Sequence, residues 1–358
     1  MPYFSSNALL CCKKSKEKRN SMQNAQTANV EMPLVRLRLI NPFIAELQRR
    51  NVDSIPLLER VGLPREMPIA DEVFVPAHSV YDFLEMAAQA AGDRYLGATV
   101  GRDIDLKLWP PFAASLEMAT SINDLLSHFV VNANHHATSV KMSLQTEGVR
   151  SKFNFQRVLN PDVPPSQNDA FYIGMLVTMF RRALGDRWKA NQVLAEVCDP
   201  GAIPAELGPL TLAQGDNRGV SFSFPSEWLF ESVVKSHFER DPETNSEYVA
   251  PPVSLIESLR EALLPHIHES DLTVGRGAAI CGYEKRKLSR ILKSKGTTIV
   301  GEIAHLREEH AAAELVESNQ KIADIALSVG FKDPTVFSRA FKNWTGQSPQ
   351  EYRRSNRT

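Results

Sequence analysis

Apolar positions along the chain change their period twice. Spacings of three and four residues begin near Val35, with Leu39, Phe43, Ile44 and Leu47, and predict an amphipathic helix. A short helix is expected over Ile55–Val61, with Ser54 as cap and Gly62 as stop. Another is expected from about His78 to Ala91, ended by Gly92. Trp109-Pro110-Pro111 breaks the pattern, and Ser121-Ile122-Asn123-Asp124 then resembles a capping box with Asp in place of Glu. The period next becomes two: Val140, Met142 and Leu144 alternate with polar residues, as do Phe153 and Phe155. A turn at Glu147-Gly148 makes this a hairpin. A long helix is expected over Asp169–Leu184 and short strands over Val193–Cys198 and Val220–Phe224. Glu239–Pro252 holds three prolines with little periodicity, as a linker would. Everything after it has helical spacing.

The helical end contains a repeated phrase. Leu288-Ser289-Arg290-Ile291-Leu292-Lys293 returns as Phe337-Ser338-Arg339-Ala340-Phe341-Lys342. Ala278 precedes Gly282 by four residues as Ala326 precedes Gly330, and a second glycine, Gly296 or Gly346, trails each phrase. A small residue at a helix crossing, a glycine at a tight turn and a second amphipathic helix are the layout of a helix-turn-helix. Two such units are expected, at about 274–295 and 322–344, joined by a helix over 300–318. The fold class is thus an α+β N-terminal domain followed by an all-α C-terminal domain with two helix-turn-helix motifs. The expected division is a flexible tail at 1–32, the α+β domain at 33–230, a linker at 231–252 and the helical domain at 253–358.

Charge adds to this picture. The net charge is −1, but from Leu272 onward 15 Lys/Arg face 9 Asp/Glu, leaving 26 basic and 33 acidic residues elsewhere. A basic helical domain beside an acidic one suggests a nucleic-acid face. Cys11, Cys12, Cys198 and Cys281 form neither a zinc spacing nor a disulfide framework, which fits a reducing cytoplasm. No apolar run approaches the ~20 residues of a membrane span. The adjacent cysteines and basic run of the tail are compatible with true initiation at Met22 or Met32.

A reading helix buries one stripe and offers Arg, Lys and small polar residues from the other to bases and phosphates. In the first copy Leu288, Ile291 and Leu292 are expected inward, leaving Arg286, Lys287, Ser289, Arg290 and Lys293 outside. In the second, Phe337, Ala340 and Phe341 are inward, leaving Thr335, Ser338, Arg339 and Lys342 outside. Arg290 and Arg339 suit bidentate contact with guanine, whereas Lys287, Lys293 and Lys342 suit phosphate anchoring. A 19-residue connecting helix would be ~28 Å long, comparable with the ~34 Å between successive major-groove faces of double-stranded DNA.

Ile322-Ala323-Asp324-Ile325-Ala326, Gly330-Phe331, Asp333-Pro334-Thr335, the phrase Phe337–Lys342, Trp344-Thr345-Gly346 and Ser348-Pro349 through Tyr352-Arg353 together resemble the signature of the AraC/XylS family of bacterial transcription regulators. Glu284 stands where many members carry Ser as cap of the first reading helix, whereas Asp333 and Pro334 give the second a sound start. Leu57–Leu63, Val75-Pro76 and Val220–Pro225 resemble the AraC-type, arabinose-binding-like effector domain of one subgroup. Trp109-Pro110-Pro111-Phe112 departs from that subgroup's Gly-rich stretch. The resemblance implies a DNA-binding regulator, expected to activate, that responds to a small-molecule effector of fatty-acid or amino-acid-derived type. RNA polymerase is an expected partner and a homodimer an expected state.

Other chemistry is weaker. His135-His136 lacks a Cys or carboxylate at ligand spacing, and His305 and His310 are five apart, ~140° around a helix. Gly275-Arg276-Gly277 follows no strand, Asp103 and Asp105 are not placed as acid and base, and neither a P-loop nor a Gly-x-Ser-x-Gly elbow is found. No catalytic residue, metal or cofactor is expected. The alternatives are an enzyme-like N-terminal domain tethered to a DNA-binding module and a helical domain that binds protein. Aromatics and methionines of the first domain, among them Phe83, Trp109, Phe155, Phe171 and Met179, are the pool from which an apolar effector cavity could be lined.

Overall fold

The computed structural model describes residues 30–65, 73–107, 109–233 and 250–356. Most of the expected tail, with Cys11 and Cys12, and most of the expected linker lie outside the described residues.

The N-terminal half is built on a five-stranded sheet. β3 (Val140–Glu147) and β4 (Arg150–Arg157) form the predicted hairpin, with Gly148-Val149 as its turn and Glu147 paired with Arg150. Gly148 takes φ +60. β5 (Leu194–Val197), β6 (Thr211–Gln214) and β7 (Gly219–Pro225) complete the order β3-β4-β7-β5-β6, antiparallel except for the parallel β5–β6 pair. One face is apolar because alternate residues point the same way. Phe153, Phe155, Phe222 and Phe224 are all buried there, and Phe180 lies 5.4 Å from Phe222 and 4.6 Å from Phe224, ring centre to ring centre.

Phe180 belongs to α7 (Ser166–Leu184), the helix that runs through the domain. Around it lie α1 (Asn41–Arg49), α2 (Ile55–Arg60), α3 (Ala77–Ala91), α4 (Leu96–Asp103), α5 (Pro110–Met118) and α6 (Ile122–Ala133). α4 meets α7 backbone to backbone. A Cβ at Gly101 would stand 2.1 Å from the Phe171 carbonyl oxygen, and one at Gly174 would stand 2.4 Å from that of Ala98. Only glycine permits this approach.

Val35 does not open a helix: β1 (Leu34–Arg36) pairs antiparallel with β2 (Phe74–Pro76), a tertiary pairing that overrides the local period. Ser54 makes no side-chain cap, and the Ile55 N–H instead donates to Asp53 Oδ1 at 3.0 Å. Trp109-Pro110-Pro111 opens α5 rather than only interrupting a helix, since proline is tolerated in a first turn. The capping box at Ser121 and Asp124 forms as read.

The C-terminal half is all helical: α8 (Leu255–Leu263), α9 (Val274–Ile280), α10 (Lys285–Ser294), α11 (Ile299–Glu317), α12 (Ile322–Ser328), α13 (Pro334–Thr345) and α14 (Pro349–Asn356). It has two cores. One gathers Leu259, Leu263, Ala278, Leu288 and Leu292 with Ile299, Ile303 and Leu306 of α11; the other gathers Ile325, Ala326, Phe337 and Phe341 with Ala311 and Leu315 of the same helix. α11 is therefore shared, one end in each core. Met32 is also buried in the first of these cores.

Candidate nucleic-acid interface and sensor cavity

α9–α10 and α12–α13 are the two expected helix-turn-helix units. Their turns use Gly282 at φ +70 and Gly330 at φ +82, and Ala278 and Ala326, four residues earlier, are buried at the crossings. In α10, Leu288 and Leu292 are fully buried and Ile291 half-buried, while Arg286, Lys287, Ser289, Arg290 and Lys293 are all exposed. Lys285 is exposed beside them and extends the basic face by one residue. Glu284 gives no side-chain cap.

α13 buries Phe337 and Phe341 completely and half-buries Ala340. Thr335, Arg339 and Lys342 are exposed on one side. Ser338 differs from its expected place: it is half-buried and its hydroxyl donates to the Pro334 carbonyl at 2.8 Å, so its proton is engaged within the helix. Val336 and Asn343 are exposed on the same side and escaped the sequence reading. Their helical spacing from Thr335 and Arg339 is the signal that could have found them. Asp333 Oδ1 accepts the Thr335 N–H at 2.7 Å, and this bond, with the nearby Arg339 charge adding to it, holds the carboxyl below its usual range.

The frame behind the two helices is braced by arginines. Arg276 of α9 bonds Glu269 at 2.5 Å, and His266 Nδ1 lies 2.8 Å from the other oxygen of that carboxylate. Burial would raise the Glu269 carboxyl, but these partners bring it down to about 2. Arg307, in the middle of α11, donates to the carbonyls of Ile267 at 3.1 Å and Glu269 at 2.8 Å. Its guanidinium lies 5.5 Å from the ring centre of Phe331, at the turn of the second unit. Arg353 of α14 binds the Leu315 and Gln320 carbonyls.

The first unit also touches the N-terminal half. Tyr283 donates its hydroxyl proton to the Glu31 carbonyl at 2.7 Å, Lys295 pairs with the Glu31 carboxylate at 3.0 Å, and the His78 ring lies against Gly282.

Inside the N-terminal half is a cavity of about 50 Å³, walled by Phe43, Trp109, Phe155, Phe171 and Tyr172 and by aliphatic residues that include Val80 and Leu84. Its polar side carries Arg157, Ser139 and Asn168. Arg157 forms a buried ion pair with Asp169 of α7. Burial pushes the Tyr172 phenol up and raises the Cys198 thiol to about 12, so this cysteine is a packed, unreactive side chain. Among the described residues no group of three His, Cys, Asp or Glu side chains is placed to hold a metal. His305 and His310 each pair instead with a carboxylate on their own helix, Glu309 and Glu314. No described helix is long and apolar enough to cross a membrane.

An α+β domain enclosing a cavity, followed by two helix-turn-helix units on a shared helix, defines the class. Comparison with known proteins bears on both halves. Residues 277–355 match the family described as a helix-turn-helix domain, and residues 52–206 match the arabinose-binding domain of AraC transcription regulator, N-terminal. The chain belongs to the AraC family of transcription regulators. It is 31% identical over 91 residues to the transcriptional activator NphR of a Rhodococcus species, spanning 25% of this chain and 27% of that protein. It is 29% identical over 151 residues to the ornithine utilization regulator of Pseudomonas aeruginosa, spanning 38% of this chain and 44% of the relative. The chain thus spans less than half the length of these curated relatives. Among solved structures, the transcriptional regulator CdpR from Pseudomonas aeruginosa matches 88% of this chain and 97% of its own at 15% identity and a TM-score of 0.37. The C-terminal domain of AraT, a response regulator from Geobacillus stearothermophilus, matches 29% and 86% at 32% identity and a TM-score of 0.28.

Proposed function

We propose that this protein is a sequence-specific, double-stranded-DNA-binding transcription regulator whose residues 33–230 sense a small molecule and whose residues 253–358 read DNA. The observation that carries the reading is the pair of exposed basic helix faces, α10 and α13, each on its own core and both fixed to α11. At 19 residues, α11 is ~28 Å long, which suits reading helices in successive major grooves on one side of a duplex. Arg290 and Arg339 take the guanine-reading role. Arg286, Lys287, Lys293 and Lys342 contact phosphates, and Ser289 and Thr335 make shorter polar contacts. Val336 offers an apolar surface to a thymine methyl group.

Sensing reaches the DNA-binding half through the contacts of Glu31 and His78 with the turn of the first unit. An effector that binds one arrangement of this junction better than the other shifts the DNA-competent population. Activation through RNA polymerase and action as a homodimer complete the reading. Neither matched family describes an enzyme, so the alternative of a catalytic N-terminal domain gains nothing from them.

The test is selection of genomic fragments by the purified chain, followed by footprinting at several salt concentrations. Two protected segments about one helical turn apart, with affinity falling steeply as salt rises, are expected. Salt-independent retention would transfer the helical half to a protein-binding role, and salt-dependent retention without sequence preference would overturn specific reading.

A further inference from the structure

The buried cavity of the N-terminal half carries a chemical preference in its walls. Among the described residues that line it, Arg157 alone is charged. Its side chain is 3% exposed, donates to the Asn217 carbonyl at 3.2 Å, to Asn168 Oδ1 at 3.0 Å and to the Asp169 carboxylate, and lies 5.5 Å from the Tyr81 ring centre. Among the described residues the Nε–H has no partner. Trp109, 5% exposed, lines the same cavity, and its indole N–H likewise has no partner among the described residues. Both groups can only donate, and a buried donor left without an acceptor is costly.

Both oxygens of Asp169 are engaged, one by Arg157 and the other by the Cys198 N–H at 2.9 Å, so its charge is committed to offsetting that of Arg157. The Arg157–Asp169 pair is therefore neutral as a unit. A carboxylate entering here would add a buried negative charge that nothing offsets, and an ammonium would add a positive one and find donors facing it. An uncharged acceptor satisfies both N–H groups and adds no charge. At about 50 Å³ the space is well below the ~150 Å³ that a benzene-sized guest fills. It takes a head of a few atoms, and the rest of the molecule passes the half-buried Leu39 and Val140 in the wall.

We propose that this cavity binds the uncharged, hydrogen-bond-accepting head, such as an amide or ketone carbonyl, of an otherwise apolar effector, held by the N–H groups of Trp109 and Arg157. This rests on the reading of residues 33–230 as a sensor. It narrows the effector class to neutral molecules, away from free fatty acids and free amino acids.

Three probes of one chain length separate the possibilities: hexanamide, hexanoate and hexylamine, each titrated into the full-length protein by calorimetry at neutral pH. Hexanamide is expected to bind at least tenfold more tightly than either charged probe, and Trp109→Phe, which keeps the ring and removes the donor, to weaken it about five- to tenfold. Asp169→Asn is expected to move the preference toward hexanoate; Trp109→Phe is the deciding variant should that protein not fold. Tighter binding of hexanoate or hexylamine by the wild type overturns the neutral-head assignment and leaves the sensor reading standing. Hexanamide binding insensitive to Trp109→Phe overturns the site. Failure of all three probes to bind overturns the head-group assignment as well. The sensor reading fails separately, if no compound of a broad small-molecule library alters either thermal stability or DNA affinity.

Discussion

Arg307 reaches from the middle of α11 to the main-chain carbonyl of Glu269, 2.8 Å from its Nη2, and from there the first unit is tied to the second. Glu269 also holds Arg276 of α9, and the Arg307 guanidinium lies against Phe331 and Gly330. Gly330 is needed for this fit, because a Cβ there would stand 2.6 Å from both Arg307 Nη2 and the Ile267 carbonyl oxygen. Arg307→Lys removes the planar fork and should loosen the angle between the reading helices. Affinity for DNA carrying both half-sites is expected to fall roughly tenfold, a coupling of ~1.4 kcal/mol, with affinity for either half-site alone nearly unchanged. Equal losses on full and half-sites would show that Arg307 serves folding only.

Arg339 and Lys342 share the exposed side of α13 but are expected to act differently. Arg339→Ala should weaken specific binding by ~1 to 3 kcal/mol and relax preference at one base position. Lys342→Ala should weaken all sequences alike and flatten the salt slope by about one ion. Binding measured against a library of single-base operator variants distinguishes these outcomes. An unchanged base preference in Arg339→Ala removes that residue from base reading.

The α4–α7 contact gives a stability prediction. A Cβ at Gly101 would meet the Phe171 carbonyl oxygen at 2.1 Å, backbone that cannot swing away as a side-chain tip could. Gly101→Ala should cost ~3 kcal/mol or more by overpacking. Urea unfolding reports it as a lower midpoint, and a midpoint within experimental error of wild type would mean that the two helices separate freely.

His136 is buried, and burial, followed by the charges of Arg36, His135 and Arg38, lowers its imidazole from 6.5 to about 3. Below pH 6.5 the unfolded chain takes up a proton there while the folded chain stays neutral. The folded state accordingly keeps its full advantage above pH 6.5 and loses it progressively as pH falls toward 3. Between pH 6.5 and 5 the loss should approach ~2 kcal/mol. His136→Gln should remove that part of the acid sensitivity, read as the difference between the two proteins' unfolding free energies at pH 7.5 and pH 5. Parallel pH profiles would show that the ring is not kept neutral.

How far the sequence foretold this structure depended on the range of each interaction. The helices α10 and α13 were legible because Leu288 and Leu292, and Phe337 and Phe341, repeat at helical spacing on a polar background. The hairpin was legible because Gly148 interrupts strict alternation. The Ser121–Asp124 cap was legible because both its partners lie within four residues. α4 was harder to see: its buried face, Leu96, Gly97, Ala98, Val100 and Gly101, is short and made largely of small residues, since its partner helix is met by glycine backbone rather than by large side chains. β1 was hidden because its pairing residues lie forty positions away, Leu34 opposite Pro76 and Arg36 opposite Phe74. The ion pair behind the cavity's polar wall was hidden because Arg157, a strand residue, and Asp169, a helix residue, meet only when β4 and α7 pack together. The bracing role of Arg307 came from main-chain carbonyls nearly forty residues distant, and carbonyls carry no sequence signal.

The sharing of α11 between two cores has a further consequence for how this protein can change. Substitutions on the outer face of α10 are absorbed by a core that contains no residue of α13, and the reverse holds equally. On the proposed function, each half-site preference could therefore change on its own while the spacing between the two helices, carried by one helix and one arginine, stays put. The two copies already differ in this way: Glu284 gives the first no side-chain cap, whereas Asp333 caps the second.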